Sequence, residues 1–196
     1  MNNFKRKICY LVAILIISAA FMSCEEPIEP TVNTLTMKTS SAKNLTLGLA
    51  GTGNAAINWG DGTAIDSVKL STTDTTYRHE YISERAYVIT ITGNINYLSS
   101  TYSNLTTLDA TKCTTLERLN CGSNKLLTLD ASKCSVLKYL DCSDNNFSAK
   151  ALNDLFGTLN SSAISGKTIE IFSNAGCETC DREIARKKGW SVEECW

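Results

Sequence analysis

Nine residues of one stretch recur in the same order 21 positions later, and no other feature restricts the fold of this chain as tightly. Leu108, Asp109, Ala110, Lys112, Cys113, Leu116, Leu119, Cys121 and Asn124 return as Leu129, Asp130, Ala131, Lys133, Cys134, Leu137, Leu140, Cys142 and Asn145. A unit this short cannot bury its apolar side chains alone, so successive units must stack and share a core. Leu119 and Cys121 have the two-residue spacing of inward positions on a short strand. Asn124 then falls where a side-chain amide can serve backbone groups at a bend, in a ladder with Asn145 and Asn174. A weaker copy precedes, with Ile95, Leu98, Ser100, Leu105 and Leu108, and a last one has Ile169, Ile171 and Asn174 in the places of Leu140, Cys142 and Asn145. Between them, residues 148–159 carry Leu152, Leu155, Phe156 and Leu159 at helical spacing, with Ser148 as N-cap.

The run Leu116-x-x-Leu119-x-Cys121-x-x-Asn124 resembles a leucine-rich repeat with cysteine in one apolar slot. The tail from Asn174 to Trp190 resembles the closing segment of leucine-rich surface lipoproteins of Gram-negative anaerobes. These resemblances imply a short repeat solenoid over residues 95–196, closed by a C-terminal capping helix that ends at Gly189, with Trp190 and Ile184 over the last coil. In that geometry Tyr97, Ser99, Arg118, Asn120, Tyr139, Asp141, Glu170 and Phe172 face outward on a shallow concave sheet and are the candidate binding residues. Inward Cys121 and Cys142 are expected to be inert core thiols.

Residues 34–94 alternate at period two: Leu45, Leu47 and Leu49; Ala55, Ile57 and Trp59; Tyr77, His79 and Tyr81; Tyr87, Ile89 and Ile91. Short alternating runs between turn residues predict an antiparallel β-sandwich. The turn Trp59-Gly60-Asp61-Gly62-Thr63, followed by His79-Glu80-Tyr81, resembles the PKD-like module of cell-surface proteins, an immunoglobulin-type fold, although Glu84-Arg85-Ala86 replaces its usual glycine before the last strand. The expected fold is therefore mainly β with some α, a PKD-like sandwich followed by a leucine-rich repeat domain.

At the other end, Lys5, Arg6 and Lys7 precede an uncharged, mostly apolar run over residues 8–22, too short for a comfortable membrane span. The ending Phe21-Met22-Ser23-Cys24 resembles a lipobox with Phe21 in place of leucine. It implies a signal over residues 1–23, a lipid on Cys24, and a tether over residues 24–33 that holds both prolines. Acidic residues behind that cysteine resemble a surface-display signal, so the expectation is an outer-membrane lipoprotein exposed on the cell surface. Removing residues 1–23 takes away three bases and no acid, leaving 16 bases against 20 acids. A mildly acidic chain without a basic cluster is not expected to bind nucleic acid.

His79, the one histidine, can pair with Asp61, but no nucleophile elbow such as G-x-S-x-G accompanies it, so a structural role is expected. Cys177-x-x-Cys180 admits a thiol-disulfide oxidoreductase, yet no β-α-β scaffold surrounds it. Zinc needs four ligands where Cys177, Cys180 and Cys195 offer three. A structural disulfide from Cys195 to Cys177 or Cys180 is expected in an exported protein, and a Cys113–Cys134 bond stays open. No cofactor and no metal are expected. The leading expectation is a non-catalytic recognition or adhesion protein that binds a protein or glycan. The alternatives are the oxidoreductase and an accessory subunit of a surface complex.

Overall fold

The computed structural model describes residues 33–193 and Cys195; the expected signal, Cys24 and the tether up to residue 32 lie outside the described residues. The strands are β1 (Thr34–Thr39), β2 (Ala42–Asn58), β3 (Asp66–Lys69), β4 (Thr75–Arg85), β5 (Val88–Ser99), β6 (Leu105–Lys112), β7 (Arg118–Asn120), β8 (Tyr139–Asp141), β9 (Lys167–Glu170) and β10 (Trp190–Val192). Two helices, α1 (Ala149–Thr158) and α2 (Glu183–Arg186), interrupt the later strands. Leu45, Leu47, Leu49, Ala55 and Ile57 on β2, and Ile89 and Ile91 on β5, are buried at period two, which is why these segments are extended.

All ten strands among the described residues belong to one mixed sheet. This corrects the expectation of a PKD-like, immunoglobulin-type sandwich followed by a separate leucine-rich repeat solenoid. The reason lies in two long neighbours, β2 with 17 residues and β5 with 12, which pair antiparallel across register breaks at Ala50/Gly51 and Thr52/Ala55. Opposite Ala55, Gly93 adopts φ 143°, and a Cβ there would stand 2.8 Å from the Asn54 carbonyl oxygen. On one side of this bend β5 pairs with β1 and β2 pairs with β3. On the other side β2 pairs with β4, and Tyr97–Ser99 of β5 pair in parallel with β7. Long strands that bend at bulges pass from one layer to the next without a break. Their apolar faces feed one hydrophobic cluster that extends from Leu35 to Val192.

The parallel part runs β5-β7-β8-β9-β10. Leu98, Leu119, Leu140 and Ile169 lie in register across it, and all are buried. At the following bend a left-handed residue recurs, Tyr102, Ser123, Asp144 and Ser173, with φ between 52° and 55°. The next side chain ties that bend to its neighbour. Asn124 Oδ1 accepts from Ser103 N and Leu105 N, Asn145 Oδ1 from Leu126 N, and Asn174 Oδ1 from Phe147 N. Their amide nitrogens donate to carbonyls on both adjoining bends, as Asn145 does to Cys121 and Cys142. Each asparagine thus satisfies backbone groups that the αL turn leaves without strand partners.

Helix α1 starts at Ser148, whose Oγ accepts from Ala151 N at 3.2 Å, and it buries Leu152, Leu155 and Phe156. The expected C-terminal capping helix is also corrected. α2 has four residues, Gly189 (φ 79°) turns the chain, and Trp190–Val192 add β10 parallel to β9. The last coil is closed by a strand with Trp190 and Val192 inward. Beside it Lys167 is buried, and its Nζ donates to the carbonyls of Asn160, Ser162 and Lys188. Burial and the Lys188 charge pull the Lys167 ammonium below its usual range.

Candidate functional site

The outward residues of the parallel strands form two rows. Tyr97, Arg118, Tyr139 and Thr168 are in register in one, and Ser99, Asn120, Asp141 and Glu170 in the other. Arg118 is exposed, with its guanidinium carbon 5.0 Å from the Tyr97 ring centre and 5.6 Å from that of Tyr139. Both distances fall within cation–π range. Among the described residues no carboxylate pairs with it. Tyr139 Oη donates to Glu170 Oε1 at 2.9 Å. Burial, then the Glu170 carboxylate, raise that phenol above its ordinary value, so it remains a donor.

The second row divides by role. Asp141 is only 9% exposed, and its Oδ1 accepts from Ser143 N and Ser143 Oγ. Asn120 Oδ1 accepts from Gly122 N in the equivalent turn. Both hold their own bends, so their oxygens have little left for a ligand. Phe172 is half-buried, beyond the end of β9. Exposed Arg118, with half-buried Tyr97, Tyr139 and Glu170, therefore carries the chemistry this face offers.

Beside Arg118 lies an open cleft of about 180 Å³, lined by Thr72, Asp74, Asn96, Tyr97, Glu117 and Arg118. Sequence reading missed Thr72, Asp74, Asn96 and Glu117. Thr72 and Asp74 come from the connection between β3 and β4, remote in sequence from the repeats. The available signal was Gly48 inside β2, because a strand glycine marks a close approach. A Cβ there would stand 2.8 Å from Asp74 Oδ1. Glu117 also binds Lys138 Nζ at 2.6 Å, a half-exposed pair.

His79 and Asp61 do meet: Nε2 donates to Oδ2 at 2.7 Å. The other carboxylate oxygen accepts from Thr63 N and Thr63 Oγ1. Those Thr63 bonds, with His79 adding, hold Asp61 far below the usual carboxylate range, although partial burial opposes them. The His79 ring stacks on Trp59 at 4.9 Å and meets Tyr81 edge-on at 4.7 Å. Trp59 Nε1 donates to Asp66, and Tyr81 Oη donates to the Trp59 carbonyl. The His79–Asp61 and Tyr81–Trp59 contacts tie the β2–β3 turn to β4, and the others hold the turn itself.

Of the sulfurs, Cys177 is bonded to Cys195, and Cys180 is a free, half-buried thiol. Cys113, Cys121, Cys134 and Cys142 are free and buried. Each points its thiol at a carbonyl of the neighbouring coil, as Cys134 does toward Ala110 O, rather than at another sulfur. Burial pushes all four thiols up, Cys134 to about 12. Among the described residues no group of three or more His, Cys, Asp or Glu side chains is placed to hold a metal ion, and no helix is long and apolar enough to cross a membrane. Comparison with protein-family models, with curated proteins and with solved structures finds no match.

Proposed function

We propose that this protein is a non-catalytic recognition or adhesion protein which binds a glycan or protein partner on the outer face of its parallel strands. The observation that carries this reading is Arg118: an exposed guanidinium within cation–π range of two tyrosine rings and lacking a carboxylate partner among the described residues. Arginine and tyrosine are the residues that anchor interfaces most often. Here the tyrosines pre-order the cation, so binding costs less side-chain entropy. The adjoining cleft supplies hydroxyl, amide and carboxylate groups in a space suited to one sugar ring or one polar side chain. The lipobox-like run ending at Cys24 supports attachment through lipid, with display on the outer membrane as the finer expectation.

The test is the full chain applied to glycan and matrix-protein arrays. Binding should be lost in Arg118→Ala and Tyr97→Ala and kept in Ile82→Ser, which alters a fully exposed position on β4. Binding that survives both face variants contradicts the reading, and so does the absence of any ligand on either array.

A further inference from the structure

The closing segment holds three sulfurs for which the recognition face has no use. Cys180 Sγ lies 3.2 Å from the carbonyl oxygen of Cys177, the residue whose own sulfur is bonded to Cys195. Arg182 covers the far end of that bond: its Nη2 donates to Cys195 Sγ at 2.7 Å and to the Cys177 carbonyl at 3.1 Å. Its Nε is buried with no hydrogen-bond partner among the described residues. No carboxylate pairs with it among the described residues. A half-buried guanidinium that faces a neutral disulfide sulfur has no counter-ion among the described residues. A thiolate at Cys195 would provide one, because a cation beside a sulfur favours its ionised form. The sulfur that leaves more readily as a thiolate is the one an attacking thiol expels.

We propose that Cys180, Cys177 and Cys195 form a disulfide-exchange site, separate from the recognition face, which bonds the chain stoichiometrically to a disulfide-bearing protein, with Cys195 as the sulfur that engages it. In the first step the Cys180 thiolate attacks Cys177 Sγ. The Cys177–Cys180 bond forms, the Cys177–Cys195 bond breaks, and Cys195 leaves as a thiolate beside Arg182. The proton given up by Cys180 goes to solvent, and nothing is oxidised or reduced overall. In the second step the Cys195 thiolate attacks one sulfur of the substrate disulfide, a mixed disulfide forms, and the substrate's other sulfur departs as a thiolate. Two disulfides enter and two remain. Burial holds the Cys180 thiol above its ordinary value while the Arg182 charge pulls it down. The attacking thiolate is therefore a minor species, and the Cys177–Cys195 bond is the resting state.

The probe is an aromatic disulfide, dithiobis(nitrobenzoate). The full chain is treated with it, quenched in acid, digested without reduction and mapped by mass spectrometry. The nitrothiobenzoate adduct should sit on Cys195, with Cys177 linked to Cys180. Cys180→Ser, a substitution close in size, should abolish that adduct. Arg182→Met should slow its formation severalfold, and Arg182→Lys, which keeps the charge, should fall between. An adduct on Cys180 with Cys177–Cys195 intact overturns the proposal. So does an unlabelled chain, or an adduct on Cys195 that persists in Cys180→Ser.

Discussion

Asn145 is 5% exposed, and its side chain serves two bends at once, accepting from Leu126 N and donating toward the carbonyls of Cys121, Cys142 and Ser143. Asn145→Ala strands buried groups on both adjoining bends, so it should cost about 3 kcal/mol in urea denaturation. This ladder was legible because Asn124, Asn145 and Asn174 hold equivalent places in the repeats. The role of Asp141 was not. It falls on the outward parity of β8, and only the backbone conformation reveals that Ser143 occupies its carboxylate. Asp61 makes a separate forecast. Its folded-state ionisation lies below the unfolded value, so its stabilisation is complete above about pH 4, the ordinary carboxylate value, and is lost as pH falls below that. Denaturation curves between pH 5 and pH 2 should therefore be steeper in pH for the wild type than for Asp61→Asn. Equal slopes would mean that the Thr63 and His79 contacts contribute nothing.

At the scale of elements, α1 was legible from Leu152, Leu155, Phe156 and the cap at Ser148, since a ten-residue helix shows its period. β10 was not. Trp190, Ser191 and Val192 are too few to display alternation, and the partner β9 lies more than 20 residues earlier. The preceding charged run suits a helix, yet packing allows it only four residues before Gly189 turns the chain. This closure is held by the Cys177–Cys195 bond, which spans 18 residues. Cys195→Ser should lower stability by roughly 3 kcal/mol in the chain-entropy picture. Thermal unfolding of the two proteins side by side measures it, and an unchanged midpoint would show that β10 docks without help from the bond.

At the scale of the whole molecule, the alternation of β2 gave two runs, Leu45 to Leu49 and Ala55 to Trp59, with Gly51 and Gly53 between them. Glycines between runs look like a turn joining separate strands. Here they mark bulges inside one strand, and this hid the fusion of the antiparallel and parallel parts. The fusion places Thr72 and Asp74 beside Arg118, so the proposed recognition face draws on both parts of the chain. It also implies one cooperative unit, because neither part can keep its core when β2 and β5 are lost. Trp59 and Trp190 are both buried in that core, one beside the antiparallel strands and one on β10, and report on the two parts. The decisive measurement is a urea titration of the full chain labelled with fluorotryptophan, following the Trp59 and Trp190 resonances by fluorine NMR in one sample, with the third signal assigned through Trp196→Phe. A single shared midpoint is the result this account requires. Separate midpoints, with Trp59 or Trp190 released first, would mean two folding units and would contradict the continuous sheet.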